Sequence, residues 1–485
     1  MSASIDIKTP ESALTPAKLC ASWSRTLSSV AIISLVLSLV AVLFNPAWTD
    51  EVFYVEPGAS LAFGEGFRSN GISQLGYGAT WGLSNPGTSV LLAGWFKVVG
   101  FSQFSAHLFF FLVQLAGAVL LVRWARARHP MSRPAAVTLV ALCMMIHSLA
   151  GNAIFHARHD AFALLLFAWF LVYAFPATAN GRTRLLAFFL GPACVFLGLQ
   201  FCGYFALAAA GLFLWRRTRE DFVSGLCLAA GLVVGVLLLR WAYGYIGVWQ
   251  AFLDNRGENF GRSFHLNKFY VSKDFLVLIP ACLGLVLAEG LAGRGWRNEV
   301  AAAGWFGCAL LLGVPIVIQL IGLWQAPFSW MITVPLLVAI LPTCVTRTFS
   351  RGGWFIGVIA ILFLLSCYVR LKELPLAVAE TDRRRQTVAE LRRLASPDEV
   401  ALGSMSLYYE LRASGQKAYW PYDRFLPAHP DLAKKVRWLV LAEVDRLILT
   451  EHIGGAWEQV YISDSAVPRG AQGPYVILRR VPASR

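Results

Sequence analysis

The chain has 485 residues, of which 57% are hydrophobic and only 14% charged, and its formal net charge is +14. At a mean hydropathy of +0.58 it is too apolar for a water-soluble globular protein, and a polytopic helical membrane protein is expected. Excess cation could serve nucleic acid, but its distribution along the chain argues against that partner.

Residues 1–25 are polar, contain Pro10 and Pro16, and read as a flexible cytoplasmic lead. A run of about 20 apolar residues crosses the hydrocarbon core of a bilayer. By that criterion about eleven transmembrane helices are expected, near 26–45, 104–123, 134–150, 160–176, 185–201, 203–216, 222–243, 274–293, 300–320, 328–345 and 354–371. The 203–216 run is short, and Pro192 interrupts 185–201. The first run is too long for a secretory h-region, and Asn45-Pro46-Ala47-Trp48 follows it in place of a small-residue cleavage site, so it reads as a retained span.

Cytoplasmic loops are enriched in Lys and Arg. With the N-terminus inside, the inner loops hold Arg123/Arg126/Arg128/Arg133, Arg182/Arg184, Arg216/Arg217/Arg219, Arg294/Arg297 and Arg347/Arg351. This agreement makes the charge a topology signal and suits a multi-pass protein of the inner (plasma) membrane. The first outer loop, 46–103, carries two mildly amphipathic pieces, Glu51–Phe63 and Thr88–Val99. They are too short to span and are expected to lie along the interface. A second outer loop, 244–273, is rich in charge and aromatics.

From Lys372 the composition becomes that of a soluble domain, and the odd span count puts this tail outside. A helix over Thr381–Ala395 is expected from Val388, Leu391 and Leu394 at helical spacing, with another over Ser406–Ser414. Glu399–Leu402, Arg446–Thr450, Gln459–Ser463 and Tyr475–Val481 read as short strands. The expected division is thus a cytoplasmic lead (1–25), a transmembrane domain (26–371) and a small extracytoplasmic α/β domain (372–485). None of the nine cysteines lies in that tail, and no disulfide framework or metal spacing is visible.

Three groups of residues could carry chemistry. Asp50-Glu51 follow the first span at the outer face. Asp50 could cap the helix that starts there, or an ionised carboxylate at a membrane-embedded cavity could take a proton from an incoming hydroxyl or amine. His156-Ala157-Arg158-His159-Asp160 forms an outer connector whose Arg breaks the positive-inside trend. Such charges pair with one another or line a pathway, although Asp160 could simply cap the fourth span. Two His and one Asp on a turn are weak grounds for a metal, and none is expected. Arg256, Arg262, His265 and Lys268, with Arg240 at the end of the seventh span, suit a phosphate headgroup or attraction to anionic membrane lipids.

Together these positions resemble the GT-C superfamily of integral membrane glycosyltransferases. The sequence is similar to the glycosyltransferase family 39-like group, which includes protein O-mannosyltransferases and the lipid A aminoarabinose transferase. The resemblance rests on Asp50-Glu51-Val52-Phe53-Tyr54 with Leu61 and Gly64, on Asn85-Pro86-Gly87 leading to Leu91, Phe96 and Gly100, and on Arg158-His159-Asp160. It covers roughly residues 26–345. Where many relatives carry a Lys near the sixth span, this chain reads Gln200-Phe201-Cys202-Gly203. Where many have an Arg-Tyr pair, it has Ser329-Trp330. Both positions are associated with donor handling.

The resemblance implies transfer of a sugar from a polyprenyl-phosphate donor to a glycan, lipid or protein acceptor, with inversion. It implies catalytic roles for Asp50, Glu51 and Asp160, and a grip on the donor phosphate by Arg158, Arg256, Arg262, His265 and Lys268. The lipid-linked sugar is itself the donor, so no cofactor is expected, and no Gly-rich phosphate loop is present. A secondary transporter would show repeat symmetry with interrupted helices, which the sequence lacks. A non-catalytic membrane scaffold is the third reading.

Overall fold

The computed structural model describes residues 16–44, 47, 49–69, 71–72, 85–128, 131–151, 157–174, 180–250, 252–253, 279–280, 282–284, 286–287, 291, 299–320, 353–421, 430–463 and 474–482. Its helices overlap the runs of high hydropathy, although the first begins at Pro16, inside the stretch expected as a flexible lead. α1 (Pro16–Val42), α4 (Gln103–Arg128), α5 (Arg133–Gly151), α7 (Gly181–Leu197), α8 (Gln200–Arg216) and α9 (Arg219–Tyr245) fall on expected spans, as do α10 (Glu299–Leu320) and the start of α11 (Gly353–Leu394). The fourth span is α6 (Phe162–Trp169) continued by a π-helical turn, Phe170–Ala174. The tenth expected span lies outside the described residues, and only fragments of the eighth lie within them. Among the described residues two helices, α4 and α9, are long and apolar enough to cross a membrane.

Local chemistry sets several starts. Asn180 accepts from the Thr183 N–H at 3.0 Å while Thr183 Oγ1 accepts from the Asn180 N–H at 2.9 Å, so two donors left over at the start of α7 are satisfied reciprocally. Thr218 accepts from the Asp221 N–H at 3.1 Å to open α9, with Glu220 and Asp221 at the favourable end of the helix dipole. Pro192 does not end its helix. It lies inside α7, and the break falls at Gly198 and Leu199.

Glycine explains why α7 and α9 can lie so close there. A Cβ on Gly235 would fall 2.9 Å from Pro192 Cα, and one on Gly231 would overlap the Phe188 carbonyl oxygen. Gly191 on α7 faces Gly231 in turn. Spaced four apart, Gly231 and Gly235 form the small-residue seam that lets apolar helices approach closely without a hydrophobic driving force. Gly231→Leu is expected to lower the melting temperature in detergent, in line with about 1–3 kcal/mol for overpacking. An unchanged melt would mean the crossing is not tight.

The two amphipathic pieces within 46–103 form α2 (Thr49–Ala62) and α3 (Pro86–Val99). They bury Val52, Val55 and Ala59 against Leu92, Ala93 and Phe96, and Gly58 keeps the backbones close.

Besides the helices, a six-stranded sheet runs in the order β1 (Gly71–Ile72), β3 (Ala418–Pro421), β2 (Val400–Gly403), β4 (Val436–Ala442), β6 (Tyr475–Arg480), β5 (Trp457–Ile462). β1 to β4 pair in parallel, whereas β4–β6 and β5–β6 are antiparallel. β1 lies between α2 and α3 in the chain, so the segment that carries α2 shares one sheet with the tail. The short helices are α12 (Tyr408–Ala413), α13 (Pro430–Lys435) and α14 (Arg446–Ile453).

One expectation for the tail is corrected. Arg446–Thr450 is helical, because the 3₁₀ turn Glu443–Asp445 leads it in and Gly454 at φ 67° closes it. The helix expected over Thr381–Ala395 is present as the end of the 42-residue α11, which begins in the last expected span and runs through Pro375.

Candidate active site

α2 starts at Thr49, so Asp50 and Glu51 occupy its first turn, where backbone N–H groups lack helical partners and the dipole favours negative charge. Glu51 is fully buried. His107 Nε2, from α4, lies 2.6 Å from its Oε1, and the Tyr409 hydroxyl donates to the same oxygen. Tyr409 comes from α12, in the tail.

Five residues further along α2, Glu56 repeats the arrangement. Also fully buried, it accepts from the Tyr408 hydroxyl at 2.8 Å, from Arg412 Nε at 3.2 Å and from Ser60 Oγ at 3.2 Å. Arg412 donates through Nη1 to Glu65 at 2.9 Å and lies 4.9 Å from the centre of the Phe63 ring. Burial raises the Glu56 carboxyl above its ordinary range, although the Arg412 charge opposes the shift. Burial also pushes the Tyr408 and Tyr409 hydroxyls well above theirs, reinforced by the charges of Glu56 and Glu51 respectively. Both phenols therefore remain donors.

A third brace lies beside these. Arg384 on α11 is fully buried, donates through Nε to Glu410 at 2.9 Å, and reaches Gln103 Oε1 at 3.3 Å and the Phe44 carbonyl at 3.4 Å. It ties the tail to the chain just after α1 and to the start of α4.

Arg158-His159-Asp160 also packs against α2, through Tyr54. Arg158 is extended and leads into a 3₁₀ turn, His159–Ala161, and all three side chains are buried. Arg158 Nε donates to Asp160 Oδ2 at 2.8 Å, and His159 Nε2 lies 3.3 Å from Oδ1. Asp160 is no helix cap: the cap position of α6 is Ala161, without a side-chain bond, and the carboxylate is turned to Arg158. Tyr54 of α2 makes the junction. Its ring centre lies 4.5 Å from that of His159 and 5.4 Å from the Arg158 guanidinium carbon. Two motifs more than a hundred positions apart in the sequence thus meet at one aromatic ring.

The fold that positions these side chains is shared with solved structures. The structure matches ArnT from Cupriavidus metallidurans bound to undecaprenyl phosphate with a TM-score of 0.57 at 14% identity, over 94% of this chain and 98% of that one. The apo state of the same protein matches with 0.53 at 15% identity, over 96% and 98%. The chain has the GT-C fold. Arabinofuranosyltransferase AftD from Mycobacteria is a more distant likeness, with a TM-score of 0.48 at 16% identity over 40% of that chain. No protein-family model matches the sequence, and no curated protein matches it.

On the GT-C fold the expected site residues separate into groups. Asp50, Glu51, Arg158 and Asp160 lie on elements joined by Tyr54, whereas Arg256, Arg262, His265 and Lys268 lie outside the described residues, as do His156 and Ser329-Trp330. Arg240 is exposed on α9, and Gln200 opens α8. Among the described residues no group of three or more His, Cys, Asp or Glu could hold a metal ion. His107, Glu56, Tyr408, Tyr409 and Arg412 were not anticipated from sequence. One signal was present: His107 is an ionisable residue within an apolar span, which marks a functional position by default.

Proposed function

We propose that the chain is a membrane glycosyltransferase that moves a sugar from a polyprenyl-phosphate donor to an extracytoplasmic acceptor, with inversion. The observation that carries this reading is the meeting of the acidic-pair helix with Arg158-His159-Asp160 at Tyr54, in a fold shared with ArnT, a protein solved with undecaprenyl phosphate.

The chemistry follows from the groups present. An acceptor hydroxyl or amine loses its proton to Asp50 as it attacks the anomeric carbon. The bond to the phosphate oxygen breaks, and polyprenyl phosphate leaves with the electron pair. Cations stabilise the negative charge left on that phosphate, and preorganised ones do so without reorganising during the reaction. Arg158 suits this role because Asp160 fixes its guanidinium. Arg256, Arg262, His265 and Lys268 of the second outer loop would supply the rest of the grip. The lipid-linked sugar is the only small molecule required, with no cofactor and no obligatory metal.

Membrane placement is supported by apolar surface. Val233, Leu237 and Trp241 of α9 are 59%, 56% and 71% exposed, as are Leu364 and Leu365 of α11 at 56% each. Water would penalise such a stripe, whereas acyl chains accommodate it. In this reading about eleven helices span the inner membrane, the N-terminus is cytoplasmic, and residues 372–485 lie outside.

Mass spectrometry of envelope glycolipids and glycoproteins, with and without the protein, tests the proposal. One class should lose a hexose or pentose, which would also name the donor sugar and the acceptor. Identical profiles, together with no transfer from polyprenyl-phosphate hexose or pentose by the purified protein, would refute it.

A further inference from the structure

We infer that Tyr409 and His107 are positioning residues for Asp50, acting through Glu51, and that docking of the C-terminal sheet onto α2 completes the site. The inference rests on the glycosyltransferase reading above and adds to it a role for the tail.

Glu51 follows Asp50 directly in the first turn of α2, so fixing its side chain fixes the backbone that carries Asp50. Its Oε1 takes two contacts from outside α2, one from α4 and one from the tail. Five residues on, Glu56 is held by the preceding tyrosine of the same tail helix and by Arg412. Adjacent tyrosines on α12 thus each grip a buried carboxylate of α2. Two such points determine both the rotation and the tilt of α2 against the tail.

The hydroxyls cannot swing away, because their rings are packed on several sides. Tyr408 and Tyr409 ring centres lie 4.9 Å apart, Phe101 lies 6.1 and 5.8 Å from them, and Trp420 lies 4.9 Å from Tyr408. His107 packs edge-on against Tyr409 at 5.9 Å. A further attachment comes from the same loop, whose β1 joins β3 of the tail through Gly71 and Ile72. Buried carboxylates are a costly means of docking, since apolar side chains of similar volume hold two surfaces together as well or better. What the tyrosines add is direction: an O–H aimed at one oxygen sets the orientation of that carboxylate.

The tail therefore acts on the reaction without touching the reacting atoms. An acceptor that shifts α12 would shift the first turn of α2 with it, so acceptor engagement and the orientation of Asp50 are coupled through Glu51.

Tyr409→Phe keeps the ring stack and removes only the O–H. Its kcat for transfer from a polyprenyl-phosphate sugar should fall about tenfold, the scale of one hydrogen bond to a charged group, while the donor KM stays within about twofold. Adding Glu51→Gln to Tyr409→Phe should cost no more than the worse single change, because both break one interaction. A second readout does not need turnover: in Tyr408→Phe/Tyr409→Phe, amide hydrogen exchange of α2 should quicken while that of α9 is unchanged. An unaltered kcat in Tyr409→Phe, or unaltered α2 protection in the double variant, would overturn the inference. A wild type that transfers no sugar, with α2 loosened in the double variant, would sink the glycosyltransferase reading and still support tail docking.

Discussion

Asp50→Asn is expected to remove sugar transfer by a factor of about 10²–10⁴, the usual contribution of a general base, and to leave the protein folded. The change suits the position. Asp50 lies in the first turn of α2, and Asn caps and tolerates helix starts about as well as Asp, so α2 should still form. What is lost is the ability to hold a proton taken from the acceptor. The measurement is turnover from a polyprenyl-phosphate sugar, alongside a melting curve to confirm folding. The same variant separates the classes of function: a transporter would lose solute uptake into vesicles, and a scaffold would lose neither activity. Transfer within a few-fold of wild type would remove Asp50 from the mechanism.

Arg412→Met should destabilise the docked tail by about 3–5 kcal/mol, the range found when one partner of a buried ion pair is removed. Arg412 is the cation beside the fully buried Glu56, and Glu65 shares it. Denaturant unfolding in detergent, followed through the buried Trp420 and Trp438 of the tail, would measure the loss. Its pH dependence has a definite sign. Burial already holds the Glu56 carboxyl above its ordinary range, opposed by Arg412. A carboxyl raised on folding contributes fully below its unfolded value, and that contribution is lost as pH rises through the folded one. Without Arg412 the carboxyl rises further, so the variant loses more across that window. The deficit should therefore widen from acid toward neutral pH. A deficit that is flat, or wider in acid, would mean that Arg412 acts through packing alone.

Hydropathy located most helices because a span is a local property: α4, α5 and α9 each declare themselves within their own residues. The same signal failed at strand β4. Val436–Ala442 is buried at nearly every position, and a continuous apolar run lacks the alternation that distinguishes a strand from a short core helix. Arg446–Thr450 misled in the opposite direction, since Leu-Ile-Leu-Thr has strand-like residues while the preceding 3₁₀ turn had already set a helical path. Strand β3 has four residues, and β1 has two. β1 exists only because it pairs with β3, and pairing across more than three hundred residues leaves no local pattern. The candidate site divides in the same way. Asp50-Glu51 and Arg158-His159-Asp160 are contiguous and could be read directly. Glu51 meets His107 across 56 positions and Tyr409 across 358, and nothing near either partner announces the other.

α11 gives the protein a fixed phase. At about 1.5 Å per residue its 42 residues extend about 63 Å, so one continuous helix runs from the apolar part of the chain into the tail. A helix turns about 100° per residue. One residue added between the last span and Glu380 would swing the sheet about a quarter-turn around that axis and carry α12 away from α2. The tail is therefore geared to the helical part of the chain instead of tethered to it, and length changes in this stretch are tolerable only in near-whole turns.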